Sequence, residues 1–300
     1  MVQRIIMTYR QTWKAYLYFI PVALFIILIY IYPLGNAFSL SLWEKVLTRP
    51  GTDRFVGLNN FIRLFTNEPL FLKTLGNGFV FTFFSVFFEY LLGLVIALIL
   101  TSKFAKMKNV SQALLMLPWA VPIAINSMMW RFLLAPNFGF LSQTLAALGI
   151  PGMLEANWFG NLNTAMPAVV FINVWRSFPF YTITLTAALS VIPRELYEAA
   201  EVDGASGWKR FWYITLPGIK DTSAVIIIFH IIWTFTNFDV IYLLTGGGPL
   251  HATEVLPTLL YRQAFSNFNM GYASAIGITM FIILMIIAGP LYTRFVMRED

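Results

Sequence analysis

Long apolar runs alternate with shorter polar connections along the chain. A helix that crosses a bilayer needs about 20 mainly apolar residues, and six segments meet this requirement: residues 15–34, 78–100, 112–134, 165–191, 222–244 and 271–292. The first run is too long for a signal peptide and no small-residue cleavage site follows it, so we interpret it as a retained helix. The pattern predicts an all-α, polytopic membrane protein with six transmembrane helices in a single domain over residues 1–300.

Composition narrows the functional class. Hydrophobic residues make up 58% of the chain and charged residues 11%, against about 25% charged residues in soluble domains. Without cysteine the chain has no disulfide, thiolate metal site or thiol nucleophile. Its two histidines, His230 and His251, have no spaced partner for a metal. We therefore expect neither enzymatic chemistry nor a bound metal.

Basic residues are distributed unequally between the two sides of the predicted bundle. Six lie on one side, five of them in the first long loop, and twelve lie on the other: Arg4, Arg10, Lys14, Lys103, Lys106, Lys108, Arg194, Lys209, Arg210, Lys220, Arg294 and Arg298. Because basic residues accumulate on the cytoplasmic side of membranes, both termini and the connection 193–217 are predicted to be cytoplasmic. The five basic residues of the first outer loop argue the other way.

The two longer outer connections carry different patterns. Apolar residues at helical spacing within residues 55–65 predict a short helix on the outer membrane surface. Residues 135–164 are rich in glycine and almost without charge, so we expect them to cover the outer mouth of the bundle. Small residues four apart, such as Gly93 and Ala97, predict close helix packing within the chain or against a second membrane subunit.

The connection 193–217 is the most polar segment between two apolar runs. Pro193 can open a helix over residues 194–202, and Gly204 can adopt the left-handed conformation that ends one. Ser206 is suited to cap a second short helix, which Leu216 and Pro217 are predicted to break. A helix, a turn and a helix therefore project from the bundle, either as a solvated loop or as a docking element.

A motif in this connection resembles a known signature. Glu198, Ala199 and Ala200 are followed after three residues by Gly204, and after nine more by Ile214-Thr-Leu-Pro217. This pattern resembles the cytoplasmic loop of the permease subunits of binding-protein-dependent ABC importers. Thr245-Gly-Gly-Gly-Pro249 and Gly271-Tyr-Ala-Ser-Ala275 are similar to the carbohydrate branch, in particular to the first permease of the maltose-type transporter. Asn77-Gly78 departs from the Asn-Thr of many relatives, and the chain lacks the large extra outer domain of the enterobacterial maltose subunit.

The resemblance implies a type I ABC importer permease fold and a set of partners. These are a second permease in a heterodimer, ATP-binding subunits on the cytoplasmic side, an extracytoplasmic solute-binding protein and a sugar. It further implies that residues 193–217 form coupling helices that dock on the ATPase through Glu198, Ala199, Ala200, Gly204, Ile214, Leu216 and Pro217. The chain has no phosphate-binding loop, so ATP and magnesium are expected to bind the partner subunits and this chain is expected to need no cofactor.

Charged and amide groups at bilayer depth are candidates for the solute path. A charge at the centre of a transmembrane helix costs about 2.5 to 3.5 kcal/mol, so Arg176 and Asp239 are expected to face a cavity or to pair with each other. Sugar recognition combines hydrogen-bonding groups with aromatic faces. Together with the resemblance, this requirement favours the following residues as solute contacts: Trp119, Asn173, Arg176, Ser177, Phe235, Thr236 and Asp239. The aromatic residues among them are equally suited to packing between helices.

The predicted cargo is a di- or oligosaccharide carried across the cytoplasmic membrane. Glycerol phosphate or another polyol derivative is the main alternative, because the Arg176 guanidinium suits a phosphate. An ion-coupled secondary carrier is less favoured, since we find no internal repeat around a midplane site. Nothing in the sequence identifies the sugar or assigns a role to Glu89 and Arg131.

Overall fold

The computed structural model describes residues 17–102 and 108–295. The basic residues Arg4, Arg10, Lys14, Lys103, Lys106 and Arg298 lie outside the described residues. A two-residue antiparallel ladder joins strands β1 (Trp43–Glu44) and β2 (Arg54–Phe55). The helices are α1 (Leu17–Ser41), α2 (Asn59–Thr66), α3 (Phe71–Thr101), α4 (Lys108–Leu115), α5 (Leu117–Ala120), α6 (Ile123–Leu133), α7 (Phe140–Ala147), α8 (Ala165–Val191), α9 (Arg194–Val202), α10 (Gly207–Gly218), α11 (Lys220–Phe235), α12 (Asp239–Thr245), α13 (Leu256–Tyr261) and α14 (Met270–Phe295).

Four helices of the described chain are long and apolar enough to cross a membrane: α1, α3, α8 and α14. Two bent pairs also qualify if each pair is one span, which gives up to six spans. One pair joins Val110–Ala120 to Ile123–Leu133 at 89°, and the other joins Gly207–Gly218 to Lys220–Phe235 at 64°. The predicted helical membrane fold is confirmed, with four long helices and two bent helix pairs in the described chain.

The first break corrects the prediction of one continuous helix over residues 112–134. Val121 is extended, with ψ of 128°, and Pro122 follows it with ψ of 138°. A proline disfavours the helical conformation of the residue before it, so α5 ends here and α6 begins at Ile123 in a new direction.

A separate break, after Phe235, corrects the prediction of one helix over residues 222–244. Helix α11 ends at Phe235, and α12 begins at Asp239. The Val240 amide donates to Asn237 Oδ1 at 3.2 Å, which satisfies one of the amides left free at the start of α12. Asn237 therefore stabilises the break.

The predicted break at Leu216 and Pro217 before the next span is present but lies slightly later, at Ile219, where the chain bends by 64°. Helix α10 contains a π turn over Phe211–Thr215 and continues to Gly218, and the chain bends at Ile219. A π turn widens the helix, which relieves the clash of a proline ring with the preceding turn. Pro217 is therefore accommodated inside the helix.

Contacts divide the chain into two units. The first comprises the described part of Met1–Glu68 and Leu260–Thr279. Within it α2 forms as predicted, Asn60 Nδ2 donates to the Ser41 and Trp43 carbonyls, and Tyr272 Oη donates to Glu68 at 2.9 Å. A Cβ on Gly271 would lie 1.9 Å from the Trp43 carbonyl oxygen, so only glycine fits at this position.

The second unit comprises Pro69–Leu259 and the described part of Met280–Asp300. Helices α3 and α8 run parallel in close contact, and a Cβ on Gly93 would lie 2.4 Å from the Tyr181 Cβ. Ala97, one turn further along α3, is fully buried. The small residues thus pack helices within the chain, as predicted for Gly93 and Ala97. Helix α11 packs antiparallel to α3. Phe235 lies against Gly78, and the Tyr90 hydroxyl donates a hydrogen bond to the Ser223 hydroxyl.

Candidate functional site

A carboxyl group lies at the centre of the second unit. Glu89 on α3 has a relative exposure of 0%. Its Oε1 accepts a hydrogen bond from Asn173 Nδ2 of α8 at 2.9 Å, and its Oε2 lies 3.0 Å from His230 Nδ1 of α11. The Ser177 hydroxyl also interacts with this carboxyl group. One side chain therefore links three helices.

The sequence of α3 explains why Glu89 reaches this position. Ser85, Glu89, Gly93 and Ala97 recur every four residues and are all buried, so they form one line along the helix. Gly93 and Ala97 allow α8 to approach the α3 backbone closely. A carboxyl group on this line faces the neighbouring helices rather than lipid. Its burial would be costly without hydrogen-bond partners.

The hydrogen bonds continue from Glu89 to the break after α11. Asn173 Oδ1 accepts a long hydrogen bond from Asn237 Nδ2 at 3.5 Å, and Asn237 Oδ1 accepts the Val240 amide. The His230 ring lies 4.3 Å from the Tyr181 ring, centre to centre. We refer to Glu89, Asn173, Ser177, His230 and Asn237 as the polar cluster.

Arg176 and Asp239, the two predicted intramembrane charges, lie at the edge of this cluster. In the described chain, no nitrogen of the Arg176 guanidinium lies within 4 Å of an Asp239 carboxylate oxygen. Both Asp239 and Glu89 nevertheless act electrostatically on the guanidinium, and Arg176 Nε is buried without a hydrogen-bond partner in the described chain. The guanidinium thus lies near two carboxyl groups without a direct ion pair in the described chain.

The other predicted solute contacts lie in different surroundings. Phe235 is only 3% exposed and packs on Gly78 and Phe79. Trp119 is 44% exposed and lies 6.3 Å from the Phe180 ring. The exposed Thr236 donates its hydroxyl to the Ile232 carbonyl. The structure therefore gathers Asn173, Arg176 and Ser177 around Glu89, and places the remaining predicted contacts outside that group.

Sequence reasoning missed three members of the cluster: Glu89, His230 and Asn237. The signal that could have found Glu89 is its place in the series Ser85, Glu89, Gly93 and Ala97, which repeats every four residues and puts a charge on a helix-packing face. His230 and Asn237 lie 141 and 148 positions from Glu89 along the chain, so only the fold brings them together. Within the part of the chain that the structure describes, no three His, Cys, Asp or Glu residues could hold a metal.

A second candidate region is the elbow, residues 193–218, which comprises α9, a turn and α10. Helix α9 begins after Pro193 and ends at Val202, as predicted. Gly204 has φ of 72°, in the left-handed region that favours glycine, and no atom lies within 4 Å of a Cβ placed there. Ser206 Oγ accepts the Lys209 amide at 3.4 Å and caps α10. The left-handed Gly204 and the Ser206 cap thus determine the shape of the turn.

Two side-chain contacts hold the elbow helices together. Tyr197 Oη lies 3.0 Å from Thr215 Oγ1, and Arg210 Nη1 lies 3.2 Å from Glu201 Oε2. An apolar cavity of about 480 Å³ at the base is lined by Ile192, Leu196, Ile214 and Pro217, among others. The elbow is therefore a braced unit rather than an irregular loop.

The motif residues lie mostly on the elbow surface. Glu198, Ala199, Gly204 and Pro217 are exposed, and the remaining three are half-buried: Ala200, Ile214 and Leu216. Small side chains at Ala199 and Ala200 leave the α9 backbone open to close approach. The motif thus places small side chains beside an exposed carboxylate at Glu198.

Comparisons with known proteins identify the family of the chain. Residues 89–298 match the family described as binding-protein-dependent transport system inner membrane component. The trehalose/maltose transport system permease protein of Thermococcus litoralis is 37% identical over 283 residues, which cover 92% of each chain. The sn-glycerol-3-phosphate transport system permease protein of Pectobacterium atrosepticum is 30% identical over 295 residues, 97% of this chain and 96% of that protein.

The fold has a counterpart among solved structures. A chain of a bacterial ABC transporter involved in the import of the acidic polysaccharide alginate superposes with a TM-score of 0.83, at 22% identity, covering 99% of this chain and 100% of that one. At 22% identity, this similarity is evidence for the fold alone. The family match and the identities above show that the chain belongs to the inner membrane components of binding-protein-dependent transport systems.

Proposed function

We propose that this chain is one permease of an ATP-driven importer that carries a di- or oligosaccharide across the cytoplasmic membrane. The observation that carries the proposal is the elbow: all positions of the permease signature are present, with Gly204 in the left-handed conformation at the turn. A braced two-helix element joined directly to α8 and α11 is suited to pass a rigid-body movement into the bundle.

The partners follow from this role. ATP-binding subunits dock on the elbow and bind ATP and magnesium, a second permease completes the membrane pathway, and a solute-binding protein delivers the sugar. This chain itself needs no cofactor and catalyses no reaction. Glu198 offers its carboxylate to a basic residue of the ATPase, and Ala199 and Ala200 allow close approach.

Glu198→Lys tests the docking role. In vesicles containing the assembled transporter, we expect normal insertion but about tenfold less solute moved per ATP hydrolysed, because a complementary interface charge is reversed. Glu195→Lys is the matched control, since Glu195 is also exposed on α9 and undergoes the same change of charge. Normal uptake with Glu198→Lys, or an equal loss with Glu195→Lys, would refute the proposal.

The surroundings of Arg176 are compatible with a neutral sugar. Its guanidinium makes no ion pair within the described chain and its Nε has no hydrogen-bond partner there, so it is open to a sugar hydroxyl as well as to a phosphate oxygen. Asn173, Arg176, Ser177, Thr236 and Asp239 supply hydrogen-bonding groups, and Trp119 and Phe235 supply aromatic faces. These seven residues are proposed to contact the sugar during the transport cycle.

Glycerol phosphate is kept as the second candidate because one relative is a permease for it and Arg176 is basic. The deciding experiment measures which ligand the accompanying binding protein retains, and then compares uptake of maltose, trehalose and glycerol 3-phosphate into vesicles. Uptake of either disaccharide supports the first candidate, and uptake of the phosphate alone supports the second.

From the unequal distribution of positive charges between the two sides of the bundle, we propose that both termini and the elbow lie in the cytoplasm. The chain has no cysteine, so single engineered cysteines report on sidedness without background. We expect Val202→Cys, on the elbow, to react with a membrane-impermeant maleimide only from the cytoplasmic side. Leu148→Cys should react only from the opposite side, and the reverse pattern would contradict this orientation.

A further inference from the structure

Glu89 is the most deeply buried ionisable side chain near the proposed solute site, and no role has been given to it. It is fully buried, while its partners come from two other helices: Asn173 from α8 and His230 from α11. Burial of a carboxyl group is costly unless hydrogen bonds compensate for it. Helix packing does not need a carboxyl group here, because Gly93 and Ala97 already bring α3 and α8 together.

The direction of the hydrogen bonds indicates what Glu89 does. Its Oε1 accepts from Asn173 Nδ2, so the Asn173 amide is oriented with Oδ1 pointing away from Glu89. That oxygen accepts from Asn237 Nδ2, and Asn237 Oδ1 in turn accepts the Val240 amide. If the first acceptor were lost, the Asn173 amide could rotate and present a donor to Asn237, which would leave two donors facing each other.

We infer that Glu89 is a positioning residue, which orients Asn173 toward the solute path and, through Asn237, holds the break between α11 and α12. The inference rests on the proposed function for its link to the solute. The connection to the break depends only on the hydrogen bonds within this chain. Glu89 thus specifies which face of the Asn173 amide is offered to a sugar hydroxyl.

Hydrogen exchange of the segment 236–245 in the assembled transporter tests the connection to the break. Glu89→Leu removes both acceptors, and we expect the Val240 amide to exchange roughly tenfold faster, because about one hydrogen bond holding α12 is lost. Glu89→Gln should preserve slow exchange, because its amide oxygen still accepts from Asn173 and its amide nitrogen can donate to His230. Asn173→Ala should match Glu89→Leu, and combining the two should add nothing.

Ser85→Ala is the matched control. Ser85 lies one turn from Glu89 on the same buried line, is fully buried, and its hydroxyl has no hydrogen-bond partner among the described residues. We expect no change in exchange at Val240. Unchanged exchange in Glu89→Leu, or equal acceleration in α9 of the elbow, would overturn the inference, because the second result means general destabilisation.

Transport supplies the second measurement. With maltose and trehalose as probes, Glu89→Leu should reduce the maximal rate of uptake about tenfold and change the ratio between the two sugars, while Glu89→Gln restores both. An unchanged ratio with a reduced rate would show a purely structural role and refute the link to the solute. If the unaltered transporter moves neither sugar, the proposed cargo fails, and the exchange result still decides whether Glu89 positions Asn173 and the break.

Discussion

The elbow and the polar cluster are both built from polar side chains, but they are held together over very different distances along the chain. In the elbow, Tyr197 contacts Thr215 and Glu201 contacts Arg210, 18 and 9 positions apart. In the polar cluster, Glu89 contacts Asn173 and His230, 84 and 141 positions apart. The elbow is therefore a local structure that can move as one body, whereas the cluster exists only when three spans are assembled.

The largest effect is expected from a change that separates the helices of the cluster. Gly93→Ala places a Cβ 2.4 Å from the Tyr181 Cβ, and overpacking of this kind costs about 1 to 3 kcal/mol. We expect a marked fall in the Tm of the purified protein and loss of the Glu89 contacts. Gly76→Ala is the matched control, because it lies on the same helix with no atom within 4 Å. Equal Tm values for both variants would contradict the close packing of α3 and α8.

A smaller effect is expected from the hydroxyl contact in the elbow. Tyr197→Phe removes the bond to Thr215, which is worth about 1 kcal/mol, and should loosen α9 from α10 without altering the spans. Hydrogen exchange over residues 194–202 measures this, with Tyr213→Phe as control because Tyr213 is 80% exposed. In a double-mutant cycle with Thr215→Val the two changes should not be additive. Additive effects would show that the two hydroxyls do not interact.

The smallest effect is expected from the ion pair of the elbow. Glu201 is largely exposed, so Glu201→Gln should cost at most about 1 kcal/mol and less at high salt. The same exchange measurement at two salt concentrations checks this. Asp203→Asn is a suitable control, since Asp203 is exposed nearby and makes no ion pair within the described chain. A large effect that salt does not reduce would mean that the pair is buried in the assembled transporter.

The same difference explains how much the sequence could predict. Helix α9, the glycine turn and the Ser206 cap were predictable because proline, glycine and serine act on their immediate neighbours. The breaks at Val121 and at Asn237 were not predicted, because the apolar segments on the two sides of each break together have the length of one span and hydropathy does not report backbone direction. The contacts of Glu89 were not predicted because its partners lie on other helices. The π turn in α10 was missed because the pattern around Pro217 also fits a helix end.

The measurement that tests the account most directly compares Gly204 variants for solute moved per ATP hydrolysed by the assembled transporter. Gly204→Val forces a β-branched residue to φ of 72°, which strains the turn between α9 and α10, whereas Gly204→Asn tolerates this conformation. Gly207→Ala is the control, because that glycine lies in open space without a positive φ. We predict a roughly tenfold loss of coupling for Gly204→Val, corresponding to about 1.4 kcal/mol, and near-normal coupling for the other two. Normal coupling in Gly204→Val, or equal losses in the valine and asparagine variants, would contradict the claim that the elbow transmits the work of ATP hydrolysis.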